Sequence, residues 1–235
     1  MNNSLQKGVD DLKWNSSGID PFIKNAMTVI LEVDELVAKM KNNIQKIQNM
    51  MMGWEEPLFE RKMRPSFPDD LQQTHESLKM PRLEDIRNQG KEIHKALKDT
   101  ADHIKPNKTS VIWLDYQSYV NSLVIEGVVS GIVKSMSFLS DQISIPYNKH
   151  HAYPPIFDIR VDLIDREVIF DPSIGCNSKE NGIKDILQGI VDDFISLAIQ
   201  VPRLDTGVGD YLNEVKDHFV IYGASQTFSN NFTEI

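Results

Sequence analysis

Cysteine occurs once in the 235 residues, at Cys176, so no disulfide can form within the chain and its stability must come from packing. Basic residues are outnumbered, with 25 Lys and Arg against 34 Asp and Glu and a formal net charge of -9. The lysines are also scattered, which excludes the concentrated cationic face that nucleic acid demands. No stretch approaches 18 uninterrupted apolar residues, and "MNNSLQKGVDDLKWNSSG" at residues 1–18 has no apolar core of signal-peptide length. A cytoplasmic chain without membrane contact is expected. No Gly-x-x-x-x-Gly-Lys-Ser/Thr loop occurs to cradle a phosphate, and the lone pair Gly207 and Gly209 reads as a loop between helices. His150 and His151 beside Asp158 fit no metal-ligand spacing, and Cys176, which as a nucleophile would need a base positioned by the fold, reads as a loop thiol of no special role. The expectation is therefore no catalytic residue, no metal, no cofactor and no small-molecule substrate.

Apolar side chains make up 40% of the chain, enough to bury a sizeable core, and their periodicity organises it. From Asp20 they step by three and four through Ile23, Ala26, Ile30, Val33, Val37, Met40, Ile44, Ile47, Met51 and Trp54, one stripe on one helical face. Asp20 and Pro21 suit the start of a helix, which would run about 50 Å at 1.5 Å per residue. Met27, Val29, Leu36 and Met50 flank the stripe where a two-stranded coiled coil would carry charge, so a bundle of several helices is predicted. Pro57, Pro65, Pro68 and Pro81 mark a break in which the chain turns back. A second stripe from Leu83 to Ile104 supplies an antiparallel partner. A third helix from near Ser110, with Trp113, Tyr116, Val120, Val124, Gly127, Val128 and Gly131, has the broadest apolar face and is predicted to be the most buried.

The period changes to two at Phe157, Ile159, Val161 and Leu163, and a second short apolar run ends at Pro172. This predicts a β-hairpin turning at Asp165 and Arg166, with its apolar face on the helices. Another helix follows from Ile183 to Val201. The expected class is mainly α, an elongated multi-helix bundle with one inserted β-hairpin. Its parts are a lead-in over 1–19, an antiparallel bundle over 20–145, the Pro-rich loop and hairpin over 146–182, further bundle helices over 183–222, and a frayed or truncated end over 223–235. The expected packing residues are Trp54, Leu58 and Phe59 at the corner after the first helix, Trp113 in the third, and Phe157, Ile159 and Val161 in the hairpin.

Six segments then stand together in one order: "LKWNSSGID" at 12–20, "GWEEPLFERK" at 53–62, "GKEIHKALKD" at 90–99, "WLDYQSYVNSLVIEGVVSGI" at 113–132, "PIFDIRVDLIDREVIFDPS" at 155–173 and "VPRLD" at 201–205. In that order they resemble the tail of a dynein heavy chain of the axonemal type, over roughly residues 5–220. The resemblance implies a non-catalytic scaffold that anchors a motor in the cytoskeleton of a ciliary axoneme. It also implies partnership with other dynein heavy chains and with intermediate and light chains. The residues after Phe219 depart from the family's pattern, which points to a fragment or a truncated gene model. A free-standing cytosolic helical adaptor is the alternative that the residues leave open.

Overall fold

The computed structural model describes residues 17–60, 68–104, 110–144, 156, 159–171, 173, 182–204 and 209–223. Phe157 and Cys176, both His150 and His151, most of the lead-in and nearly all of the expected frayed end lie outside them. Three long helices form the body: α1 (Ile19–Trp54), α2 (Pro68–Ile104) and α3 (Val111–Ser144). Then come β1 (Arg160–Ile164), β2 (Glu167–Asp171), α4 (Ile183–Ile195), a 3-10 turn (Ser196–Ile199) and α5 (Leu212–Gly223). The protein is mainly α with one antiparallel hairpin, as the periodicities predicted.

α1 and α2 run antiparallel. Lys39 Nζ donates to the Asp99 carbonyl at 3.2 Å, Asn43 to the Thr100 hydroxyl at 2.8 Å, and Trp54 Nε1 to Gln89 Oε1 at 2.6 Å. α3 returns parallel to α1, and its small residues let the two helices touch. A Cβ at Gly127 would stand 2.8 Å from Met51 Sδ, and one at Gly131 only 2.5 Å from the Trp54 carbonyl oxygen. The Gly127/Gly131 pair is thus a groove that seats the end of α1. By length and composition α3 is apolar enough to cross a membrane, but half of that apolar stretch is buried inside the bundle. Val120, Val124, Val128 and Ile132 are fully buried, while Lys134 on its outer side pairs with Glu55.

The structure corrects three expectations. α2 begins at Pro68, not near Leu83, and runs through Pro81 without a break. Pro68 sits at the first helical position, where a missing N–H costs nothing. Pro81 lies on the exposed side, and the buried row Leu71, His75, Lys79, Leu83 and Ile86 passes unbroken behind it. Burial of that row outweighs the one lost backbone bond. Second, the stripe of α1 is covered only in its second half, from Met40 to Trp54; Ile23, Ile30, Val33 and Val37 are exposed, because the described part of α2 ends and α3 begins near the middle of α1.

Third, the hairpin has the predicted turn, with Asp165 and Arg166 at φ 54° and 70°, and pairs Val161 with Phe170 and Leu163 with Val168. Both strands are nevertheless exposed along their whole length. Ile159 is 40% and Val161 59% exposed, so neither packs on a helix as expected. Alternation tells which side chains share a face of a strand; it does not say that anything covers that face.

Candidate functional site

The residues expected at the corner after α1 meet in one place. Trp54, Leu58, Phe59 and Trp113 are all buried, Trp54 to 1% exposure. The reason is chemical as well as apolar. Arg82 of α2 donates to the Gly53 carbonyl at 3.0 Å and the Glu56 carbonyl at 3.2 Å, tying down the backbone where α1 stops, and pairs with the Glu56 carboxylate. The Leu58 N–H donates to Ser135 Oγ at 3.0 Å, and that hydroxyl donates to the Gly131 carbonyl at 2.8 Å. Glu55 accepts from Ser130 at 3.2 Å and pairs with Lys134, which holds its carboxyl below the usual carboxylate range. Trp113, on α3 as expected, packs at the opposite end, tilted against Tyr116 at 5.6 Å between ring centroids. Ile159 and Val161 take part in neither cluster, and Phe157 lies outside the described residues.

Phe59 leads to a polar cluster that sequence reasoning missed. Its ring lies 6.4 Å from that of His75, which meets Phe194 edge-on at 5.9 Å. His75 Nε2 is 3.1 Å from Asp193 Oδ2, and Lys79 Nζ donates to Asp193 Oδ1 at 3.0 Å and to Glu76 at 2.5 Å. Burial drives the His75 pKa below its ordinary value, with the Asp193 carboxylate pulling the other way. Burial also works against the Lys79 ammonium, but the Glu76 and Asp193 carboxylates outweigh it and raise its pKa. Beside the cluster is an open cleft of about 520 Å³, lined by Gln72, Gln73, Glu76, Ile186, Gly189 and Ile190 together with His75 and Asp193.

An imidazole oriented by a carboxylate is half of a nucleophile-activating arrangement, yet His75 Nδ1 is buried with no hydrogen-bond partner among the described residues. What the cluster does is lock α2 to α4. A signal for it existed in the sequence: Leu71, His75, Lys79 and Leu83 step by four through the stretch dismissed for its prolines.

A second lock closes the C-terminal end. Tyr211 donates to Asn121 Oδ1 at 2.7 Å and accepts the Leu204 N–H at 3.1 Å, with Arg203 over its ring. Arg87 of α2 donates twice to Gln200 Oε1, at 2.6 and 3.2 Å, and Gly90 lets Val201 approach to within 3.1 Å of where a Cβ would stand. "GKEIHKALKD" and "VPRLD" therefore touch in the fold. Among the described residues no group of three or more His, Cys, Asp or Glu side chains is placed to hold a metal ion.

No family model matches the sequence. Individual relatives do. The chain is 29% identical over 223 residues to the dynein beta chain of the flagellar outer arm of Chlamydomonas reinhardtii, covering 94% of this chain and 5% of that protein. It is 27% identical over 87% of its length to a ciliary dynein beta chain of Heliocidaris crassispina and 28% identical over 88% to dynein axonemal heavy chain 17 of Homo sapiens, 4% of each. The similarity to axonemal dynein heavy chains thus extends over nearly all of this chain, while the chain spans about one-twentieth of their length.

Proposed function

We propose that the chain is a non-catalytic structural segment of an axonemal dynein heavy chain tail, serving motor assembly and anchoring in the ciliary axoneme. One observation carries this reading: the relationship to axonemal heavy chains extends along 94% of a chain that folds as long helices locked side by side. Such a body suits a strut. Its polar residues tie helix to helix, Arg82 to the end of α1, Asp193 to His75 and Lys79, Gln200 to Arg87, and so spend their hydrogen bonds on rigidity. The absence of a phosphate-binding loop from the sequence supports the non-catalytic part of the proposal. Its partners would be other dynein heavy chains and the intermediate and light chains.

Sequencing the transcript from end to end tests the proposal. A reading frame that continues past Ile235 into a linker and ATPase modules is the expected result. A stop codon there, with a stable 26.8 kDa product in the cell, would favour a free-standing helical adaptor instead.

A further inference from the structure

The first half of α1 stands out from the bundle. The pairing of Lys39 with Asp99 and Asn43 with Thr100 sets the level at which α2 ends, five residues later, and the seating of Met51 on Gly127 and Trp54 on Gly131 sets the level at which α3 begins. Both fall near the middle of α1. The preceding turns, from Ile19 to about Glu35, project by roughly 25 Å at 1.5 Å per residue. Among the described residues no hydrogen bond or ion pair joins them to another element.

This projection continues the same three-four stripe that α2 and α3 cover further on. Here Ile23, Met27, Ile30, Leu31, Val33 and Val37 are exposed, Met27 to 60% and Ile30 to 58%. Together they present apolar surface on the order of 500 Å², at the upper end of what a monomer shows in one patch. Continuity with the internal seam says what shape fits, namely a helix laid along the row, as α2 is laid along Met40 to Trp54.

Charge says which helix. Asp34 stands inside the apolar row, with Ile30 and Leu31 one turn before it and Val37 one turn after. A helix laid there would take Asp34 out of water, which is tolerable only if it brings a cation to the carboxylate. The projecting turns also carry Asp20, Glu32 and Glu35 against a single Lys24. A second copy of this chain would bring its own Asp34 and the same acidic excess, and so fits poorly.

We propose that the projecting half of α1 is a docking surface for an amphipathic helix of another polypeptide, apolar along its seam and carrying Lys or Arg opposite Asp34. This gives the scaffold reading a contact surface and rests on it only for context, since binding to α1 is read in solution and the proposed function is read from the transcript.

The intact chain is titrated, by fluorescence anisotropy, into two synthetic helical peptides with the same leucine and isoleucine seam, one flanked by lysine and the other by glutamate. The lysine peptide should bind at least about tenfold more tightly, the scale set by one desolvated charge pair. Ile30→Ser should weaken it without moving the melting temperature, since Ile30 is exposed. Asp34→Ala should weaken the lysine peptide and strengthen the glutamate peptide. Equal binding of the two peptides, binding of neither, or tighter lysine-peptide binding by Asp34→Ala would overturn the proposal. So would a dimer of the unaltered chain, seen by light scattering, that Ile30→Ser dissolves, because the occupant would then be a second copy.

Discussion

Alanine at Gly131 would place a methyl carbon 2.5 Å from the Trp54 carbonyl oxygen and 3.4 Å from its carbonyl carbon. The obstacle is backbone, so it cannot swing aside as a side chain would. α1 must move off α3 by most of an ångström, and its last turn is fixed on the other side by Arg82 and Gln89 of α2. Overpacking of this kind costs about 1–3 kcal/mol. Against it stands about 1 kcal/mol that alanine gains over glycine inside a helix. Gly189 on α4 isolates that second term, because nothing lies within 4 Å of its added Cβ. Gly127 is intermediate: its obstacle is the flexible Met51 thioether at 2.8 Å. The order of stability should therefore be Gly189→Ala above the natural chain, Gly127→Ala near it, and Gly131→Ala below it. For a chain of this size about 1 kcal/mol corresponds to about 2–4 °C in melting temperature. Thermal melts followed by circular dichroism read the series, and a Gly131→Ala protein as stable as Gly189→Ala would refute the close seating of α1 on α3.

Trp54→Ala should cost about 3–5 kcal/mol in chemical denaturation, as emptying a buried large aromatic site does; a change under 1 kcal/mol would mean the indole is not core. His75 has its pKa lowered by burial, so the unfolded chain binds its proton more readily. Its contribution is complete above the unfolded value of 6.5 and is lost as pH falls from there toward the lowered folded value. Between pH 7.5 and 5.5 the natural chain should lose more melting temperature than His75→Gln, and equal losses would sink the assignment. Leu163→Asp in the exposed hairpin should stay within about 0.5 kcal/mol of the natural chain, as surface substitutions do. A large loss in the same denaturation assay would show that something covers the strand.

The long helices and the hairpin turn were legible because each rests on a local period or a local turn preference. Ile19–Trp54 follows the three-four stripe from end to end, and Asp165-Arg166 adopts the left-handed turn expected between two short strands. The corner residues Trp54, Leu58 and Phe59 were legible for the same reason, being large apolar groups around a proline at a helix end. What covers a face was not legible. Ile30 and Ile47 occupy equivalent positions on one stripe, yet one is exposed and the other buried, since that depends on where α2 and α3 end in space. Ile159 and Val161 were misjudged likewise. The lock of His75, Lys79 and Asp193 joins residues 114 and 118 positions apart, a pairing no local pattern announces. Pro81 misled because a proline on the solvent side of a long helix costs one hydrogen bond, while the row behind it buries several side chains.

The central claim is that this polypeptide works as a structural part of an axonemal dynein, and the most direct test is to ask where it travels. Axonemes from the source organism's cilia are extracted with high salt, the extract is separated on a sucrose gradient, and an antibody to residues of α3 locates the chain across the fractions. The account predicts that the chain comigrates with the dynein ATPase peak and with intermediate chains. Sedimentation as a lone small protein, away from every dynein subunit, would contradict it.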